Sequence, residues 1–434
     1  QALESALSRL DSVAQLEEVE YVASDFDSIV SQEIPASFVE ILQQNYAELL
    51  EKKQLAAEQE IENNKTAGYK YNWQQDSYKR LKKLNLEKSG PHFIDMLNGK
   101  AADSTKNKDI SFDDEIRPIV SHKHRLKNLP EFGLHHAIRL TKQGDSVRWY
   151  YSEDFITPEM LVDIELRQLA QVMQNCGIKN PNREIADQYL ETNWSTPLLL
   201  RYITRPEQIV PFFMEHVDYL SEALGLLPNK GESRWREFEP SKAISILATF
   251  PQIPKQFIPK ILELALGENK RLRHDAQELL SNLPDIHERA IEALANGKQA
   301  IRVTAVEWLA RLNERDDSHK AVVLKALYEL LNKESKEIVI ASILTALESM
   351  GEDISKYLSP TALLKDAEKG LKGKVLKSFE WFNLDSLPVV QWQDGKTVNP
   401  KIIQWWVVLA EKLKDPAPNG LLQRYLDLLD DKSQ

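Results

Sequence analysis

The sequence predicts an all-α protein, and three observations support this fold class. The 434 residues include 15 glycines, and the good helix formers Ala, Leu, Glu and Lys dominate the composition. Apolar residues recur at steps of three and four along most of the chain, which is the period of an amphipathic helix. One such pattern repeats between residues 255 and 351. Self-similarity of this kind predicts helical units that pack side by side.

The composition is that of an ordinary globular protein. The chain is 42% hydrophobic and 28% charged, and its length allows two or three hydrophobic cores. The formal net charge is −11, so binding of a polyanion requires a local basic patch. A single cysteine excludes an internal disulfide and a Cys-x-x-Cys zinc or redox motif. We therefore expect a cytoplasmic protein with no membrane segment.

The first residues carry no targeting signal. The stretch from Gln1 to Leu10 lacks the basic start and the apolar run of a signal peptide. Because the sequence begins with Gln1 instead of Met, we expect a trimmed chain.

Residues 1–140 form the first of four predicted regions, an irregular N-terminal helical region. Its clearest helix begins near Pro35 and fades into the polar run 58–65. The stretch 98–109 has no large apolar side chain, so little buried area offsets the entropy of ordering it. We expect a mobile loop or linker there. In the helix that begins near Pro35, the apolar positions are Phe38, Ile41, Leu42, Tyr46 and Leu49.

Residues 141–240 form a second predicted helical region with one short strand. Partial alternation of apolar and polar residues at 145–151 predicts the strand. The motif Thr157-Pro158-Glu159 then supplies the N-cap, the first-turn proline and the first-turn carboxylate of a helix that reaches Cys176. The region also contains a predicted loop at 229–240, and two amphipathic stretches at 209–220 and 243–247 resemble one more degenerate helix pair.

Residues 241–351 contain the repeat. One helix pattern combines a leading apolar residue, an Arg, a small Ala and two Leu residues, and it occurs twice with identical internal spacing. A third copy follows after a longer interval, with Ile340 and Ile343 in place of the Arg and the Ala. Another amphipathic helix precedes each copy, so the predicted unit is a helical hairpin. The copies are Leu272, Arg273, Ala276, Leu280 and Leu283; Ile301, Arg302, Ala305, Leu309 and Leu312; and Val339, Ile340, Ile343, Leu347 and Met350.

This repeat pattern resembles the HEAT repeat. A hairpin of this size cannot bury its apolar stripe alone, so neighbouring hairpins are expected to stack. The resemblance implies a HEAT-like α-α superhelix, or solenoid, in which the small Ala276 and Ala305 let the helices approach closely. It covers about a quarter of the chain and implies no particular ligand.

Residues 352–434 are predicted to form a C-terminal helical segment with a small hairpin. The residues around Asp394-Gly395 give the strongest two-residue hairpin signal in the chain, because apolar and β-branched residues flank the pair. The adjacent Trp405 and Trp406 diverge by about 100° on a helix. We therefore expect one of these rings to meet a partner or the remainder of a longer protein.

The C-terminal part contains Glu368-Lys369-Gly370-Leu371, Trp381, Leu384, Leu387, Trp392-Gln393-Asp394-Gly395, Trp405-Trp406, Lys412-Leu413-Lys414 and 419–426. In the order and spacing of these residues it resembles the bacterial MolR/YehI-like family. Members of that family carry helical repeats ahead of a large C-terminal domain of unknown function, and some have a WGR domain in front. This chain has no Trp-Gly-Arg triplet. The resemblance implies a helical portion of a longer protein and assigns no catalytic residues.

No motif favours a metal or nucleotide site. The chain lacks a phosphate-binding Gly motif and a Gly-x-Ser-x-Gly elbow. The pairs His122/His124 and His135/His136 lack the spacing of four that binds a metal from one helix. A metal site would require the acidic run 113–115 to fold against one of these pairs. We expect no metal and no cofactor.

Cys176 is the one candidate nucleophile. It follows an apolar row, where a lone cysteine is more often a small buried residue. Reactivity would require a base such as His135 beside the thiol. We therefore expect no catalytic residue, and an enzyme whose site is not visible in the sequence remains an alternative.

The segment 65–88 is the first candidate binding surface. It has seven cations and two carboxylates, a local charge of +5, with four aromatic residues between them. Rings that stack on bases beside cations that neutralise phosphates are typical of single-strand nucleic-acid binding. In the alternative that we favour, the aromatic rings fix a helix to its neighbour while the lysines stay in water. The candidate residues are Trp73, Lys79, Arg80, Lys82 and Lys83.

The second helix of each repeat is the other candidate surface, because it usually lines the concave side of a solenoid. Arg273 and Arg302 occupy the repeat position, where a hydrogen bond or ion pair between repeats is the favoured alternative to ligand contact. Trp308 is expected to pack in the core. The candidate binding residues here are Lys270, Arg271, Arg273, Lys298 and Arg302.

These features predict a non-enzymatic scaffold that binds another protein or an adjoining domain of the same protein. The main alternative is nucleic-acid binding through the concave or the N-terminal basic residues.

Overall fold

Helices dominate the structure, as the sequence predicts. The computed structural model describes residues 26–67, 72–100, 117–191, 198–228, 237–372, 383–413 and 421–434. Within these ranges, strands are limited to one two-stranded ribbon and three isolated bridges. No helix in the described ranges combines the length and the apolar composition that crossing a bilayer demands. The chain divides into two compact units, Gln1–Pro254 and Lys255–Gln434.

The first unit is organised around one long helix, α1 (Phe38–Ala67). This helix packs against α2 (Trp73–Lys82), α3 (Leu86–Leu97) and α4 (Arg117–Ser121). Phe38, Leu42 and Leu49 form its buried stripe. The helix continues through the polar run 58–65, although the sequence predicts that it fades there. The helices of this unit are α1 (Phe38–Ala67), α2 (Trp73–Lys82), α3 (Leu86–Leu97), α4 (Arg117–Ser121), α5 (Leu134–Thr141), α6 (Leu166–Asn175), α7 (Pro181–Leu190), α8 (Leu198–Tyr202), α9 (Pro206–Glu215), α10 (Val217–Ala223) and α11 (Pro240–Leu247).

The predicted strand at 145–151 is correct only at its start. Strands β1 (Lys142–Gln143) and β2 (Ser146–Val147) form an antiparallel ribbon in which Lys142 pairs with Val147. The two-residue turn between them contains Gly144, whose φ of 62° suits glycine. The following residues, Trp149–Asp154, form a 3₁₀ helix. Because this helix begins two residues after Val147, the strand predicted at 145–151 ends at Val147.

The helix predicted from Thr157 to Cys176 is two pieces. A 3₁₀ turn at Pro158–Met160 comes first, and α6 begins only at Leu166. Gln208, from α9, explains the break, because its buried amide donates to the carbonyls of Val162 and Ile164 at 2.9 and 2.7 Å. Those carbonyls therefore bond to a side chain from elsewhere in the unit. The end of the helix at Cys176 is as predicted.

Two predicted loops lie largely outside the described residues, because 101–116 and 229–236 are not described. The stretch 209–220, expected as one helix of a pair, is divided at His216 into α9 and α10, and the helix expected at 243–247 is present as α11. All three lie in the first unit.

The second unit contains the predicted hairpins as three consecutive helix pairs, which span residues 258–280, 286–315 and 320–349. We call these pairs α12–α13, α14–α15 and α16–α17. The helices of each pair pack against each other, and α15 also packs against α17. Ala276 and Ala305, at the small position of the pattern, are fully buried. The helices are α12 (Ile258–Ala265), α13 (Lys270–Leu280), α14 (Ile286–Ala293), α15 (Gln299–Arg315), α16 (Lys320–Lys333), α17 (Glu337–Ser349), α18 (Ser355–Leu358), α19 (Pro360–Gly370), α20 (Pro400–Leu413) and α21 (Leu421–Leu426).

Both tryptophans of the pair in α20 are buried, so the expectation that one of them meets a partner is wrong. Trp405 packs on α19, where its Nε1 donates to Asp366 Oδ2 at 2.9 Å. Trp406 faces the other way and stacks on Tyr425, with ring centroids 5.0 Å apart. Trp392 meets the Trp406 ring edge-on. The chain covers both sides of α20 because its last residues return against it.

The predicted C-terminal hairpin is present with a three-residue loop. Trp392 N donates to Lys396 O at 2.9 Å, and Gly395 N donates back to Trp392 O at 2.8 Å. Gly395 has a φ of 77°, which completes a turn followed by a left-handed residue. The strand pairing is a single bridge between Gln391 and Thr397.

The contact between Gly370 and Trp405 generates a stability prediction. Ala normally stabilises a helix relative to Gly by about 1 kcal/mol. A Cβ at Gly370 would lie 2.5 Å from the buried Trp405 ring. We therefore expect Gly370→Ala to lower the free energy of unfolding by about 1–3 kcal/mol, measured by urea titration.

Gly297→Ala is the matched control, because a Cβ there meets no atom within 4 Å. If Gly370→Ala proved as stable as the Gly297→Ala protein, the proposed close packing of Trp405 on α19 would be wrong.

Candidate functional site

Arg273 and Arg302 occupy the same position of successive hairpins, and each bonds to a carbonyl of its own hairpin and to a side chain of the next one. Arg273 Nη1 donates to Gly267 O at 3.3 Å and to Thr304 Oγ1 of the next hairpin at 3.1 Å. Arg302 Nη1 donates to Asn296 O at 2.8 Å, and its Nε donates to Glu334 Oε2 beyond α16 at 2.7 Å. We call each such set of contacts a rung.

The rungs repeat with the sequence. The interval from Arg273 to Arg302 equals the interval between their carbonyl acceptors, Gly267 and Asn296. Both carbonyls follow the first helix of a hairpin. Each arginine therefore satisfies backbone at the end of one helix and reaches to the following hairpin with its remaining N–H groups.

A second set of polar contacts joins α13 to α15. Gln277 is buried, and its Nε2 donates to Ala265 O at 2.7 Å. Arg311 Nη2 donates to Gln277 Oε1 at 2.5 Å. Farther along, Arg315 pairs with Glu278 at 2.5 Å. The hydrogen bond from Arg315 lowers the pKa of Glu278. The first two hairpins are thus connected along their second helices.

The third hairpin has Ile340 where the arginine stands in the other two, and the C-terminal segment bonds to its second helix instead. Lys412 of α20 pairs with Glu337 at 2.8 Å. Arg424 of α21 pairs with Glu348 and donates to Thr345 Oγ1 at 3.3 Å. These contacts cover α17 with α20 and α21.

The structure divides the candidate residues of the repeat into two groups. The side chains of Arg273 and Arg302 are engaged in rungs, as the favoured structural alternative predicts. Lys270, Arg271 and Lys298 are exposed at the beginnings of α13 and α15. Sequence reasoning missed the rung partners; the repeat interval could have located the carbonyls, but not Thr304 or Glu334. Trp308 is 2% exposed and belongs to the core, as expected.

The candidate residues of segment 65–88 that the structure describes lie on α2 and at its end. Trp73 is 56% exposed, and Lys53 Nζ of α1 lies 5.5 Å from its ring centroid. Lys79, Arg80, Lys82 and Lys83 are exposed as well. The inner side of α2 packs on α1 through buried residues, Ser77 and Leu81. Residues 68–71, with two aromatics of the predicted patch, lie outside the described residues.

Cys176 is a buried structural residue. Its thiol donates to the carbonyl of His135 at 3.4 Å, so the contact involves backbone instead of the imidazole that a catalytic pair requires. Burial raises the pKa of Cys176 to about 11. The thiol is therefore protonated at neutral pH and is a poor nucleophile.

His122 is part of an ion-pair cluster. Glu48 accepts from His122 Nε2 at 2.8 Å, from Lys123 Nζ at 2.6 Å and from Arg125 Nη2 at 2.9 Å. The bonds from Lys123, Arg125 and His122 lower the pKa of Glu48 to about 2. No group of three His, Cys, Asp or Glu side chains suited to a metal occurs in the described residues, and 113–115 lie outside them.

No family model, no curated protein and no solved structure matches this chain.

The rung at Arg302 generates a prediction about stability. Its side chain and that of Glu334 are 12% and 5% exposed, so removal of the guanidinium leaves a buried carboxylate without a cation, and only the backbone N–H groups of Ser335 and Lys336 still donate to it. We expect Arg302→Met to lower the free energy of unfolding by about 3 kcal/mol. Arg271→Met, at an exposed position of the same surface, should change it by less than about 0.5 kcal/mol. Equal effects of the two substitutions in urea titrations would refute the rung.

His136 predicts a pH dependence. It is fully buried, and its Nδ1 accepts from Gly133 N at 3.0 Å, so the folded state needs an unprotonated Nδ1. Burial lowers the pKa of His136 to about 4, whereas the unfolded chain binds the proton near pH 6.5. The contribution of His136 is therefore complete above about pH 6.5 and is lost as the pH falls toward 4.

Between pH 7 and pH 5 this loss amounts to about 2 kcal/mol. We expect His136→Gln to remove that part of the pH dependence in urea titrations, whereas His124→Gln, at an exposed position of the same unit, should keep it. An unchanged pH profile in His136→Gln would contradict the assignment.

Proposed function

We propose that the three hairpins of residues 255–351 form a HEAT-like solenoid that serves as a non-enzymatic scaffold for protein binding. The observation that carries this proposal is the rung, because the same arginine position bonds to the same carbonyl position in two successive hairpins. A recurrent contact to the following hairpin is what a stack of repeats requires.

In this proposal the C-terminal segment, through α20 and α21, is the terminal cap of the solenoid. Stacked repeats need an end unit, since the last hairpin would otherwise expose its apolar face. Ile340 removes the rung from the third hairpin, and α20 and α21 cover α17 there. The solenoid would thus stop at three hairpins on this side.

A protein partner is favoured over nucleic acid at the repeat surface. Arg273 and Arg302 direct their charge into the rungs, and the carboxylate of Glu278 lies on α13 as well. The net charge of −11 adds long-range repulsion toward a polyanion. The exposed cations Lys270, Arg271 and Lys298 suit a short acidic segment of a protein, or an adjoining domain of a longer chain as the MolR/YehI-like resemblance implies. We place this activity in the cytoplasm.

The test uses the immobilised full chain and a nuclease-treated bacterial lysate at moderate salt. We expect retention of the same polypeptide at near-stoichiometric amounts by the wild type and by the control Lys325→Glu/Lys333→Glu, whose exposed lysines lie on α16. Lys270→Glu/Arg271→Glu/Lys298→Glu should lower that retention at least tenfold. The proposal fails if no polypeptide is retained in stoichiometric amounts, or if the triple variant retains it equally.

A further inference from the structure

One exposed surface in the first unit has no part in the proposed scaffold. It consists of Trp73, Asp76, Lys79, Arg80 and Lys83, and we call it the α2 outer face. At about 100° per residue, these positions fall within a stripe of about 120° on the helix. All five are exposed, while Ser77 and Leu81, which lie outside this stripe, are buried.

Trp73 is unusual among the described tryptophans because it is exposed. Trp73 is 56% exposed, whereas Trp149 is partly buried and Trp308, Trp392, Trp405 and Trp406 are each 8% exposed or less. An exposed indole leaves apolar area in water, and covering that area with a ligand is favourable. The flat face of an exposed indole is also available for another ring to stack on.

The position of Trp73 is fixed by the start of α2. Glu60 of α1 accepts from the backbone N–H groups of Gln74 and Gln75 at 2.9 and 3.2 Å. Asn64 Nδ2 donates to Asn72 Oδ1 at 2.8 Å. The helix therefore presents the ring from an anchored first turn, and little backbone entropy is lost when a ligand stacks on it.

The charges on the α2 outer face are mainly positive. Three cations share the α2 outer face with one carboxylate, Asp76, which lies 3.9 Å from Lys79 in an exposed and therefore weak ion pair. Lys53 adds an ammonium 5.5 Å from the ring centroid. This surface is locally basic in a chain whose net charge is −11.

We propose that the α2 outer face binds single-stranded nucleic acid. An unpaired base stacks on Trp73, and the cations of the face neutralise the neighbouring phosphates. The helical rise from Trp73 to Lys83 is about 15 Å, which spans a few nucleotides. A duplex fits less well, since its bases are stacked on one another and closed to an indole. This ligand is independent of the protein partner proposed for the repeats.

The experiment measures fluorescence anisotropy of a labelled twelve-residue oligo-dT with the full chain. Three neutralised phosphates predict a Kd that rises about 20-fold between about 50 and 200 mM salt. Trp73→Ala should raise the Kd about tenfold, and Trp73→Phe should keep it within about threefold because the ring remains. Lys79→Glu/Lys83→Glu should abolish binding.

Two variants serve as controls that should bind as the wild type does. Leu55→Ala truncates a side chain of α1 that is also 56% exposed. Lys325→Glu/Lys333→Glu reverses two exposed charges in the second unit. The proposal is overturned if the wild type fails to bind at the lower salt concentration, if Trp73→Ala binds normally, or if a blunt duplex or poly-glutamate binds as tightly as the single strand.

Discussion

A guanidinium group withdrawn from water must find partners for its N–H groups, and this requirement determines how the hairpins of the second unit join. Arg302 meets it with the carbonyl of Asn296 and the carboxylate of Glu334, which lie in different hairpins. One side chain thus satisfies backbone left over at a helix end and fixes the distance to the next helix pair. Arg273 does the same with a neutral partner, Thr304.

The repeated arginine is absent from the third hairpin, and this absence explains how the C-terminal segment packs in the second unit. Because Ile340 offers no donor, the third hairpin depends on the C-terminal segment, whose Lys412 and Arg424 bond to α17. That segment is held by close packing, with Trp405 lying against Gly370 of α19 and Trp406 against the returning chain. Polar contacts connect the hairpins, and aromatic packing closes the end of the unit.

The fold class and the helix pairs were predictable because periodicity and composition are local properties of the sequence. The repeat arginines were also predictable as structural residues from their equivalent positions. What failed depends on distant partners: Gln208 divides the helix predicted at 157–176 by bonding to carbonyls of a segment far from it in the sequence. Likewise, the sequence of segment 65–88 does not determine which aromatic rings are exposed. The exposure of Trp73 depends on how α2 packs on α1, which is distant information that a local pattern lacks.

The most direct test of the rung is a double-mutant cycle on Arg302 and Glu334, with unfolding free energies from urea titration of the wild type, Arg302→Met, Glu334→Gln and the double variant. Two side chains in contact should show a coupling energy between about 0.5 and 3 kcal/mol, so the double variant should be more stable than the sum of the single effects indicates. Additive effects, within about 0.3 kcal/mol, would mean that the two residues act independently and would contradict the proposed connection between hairpins.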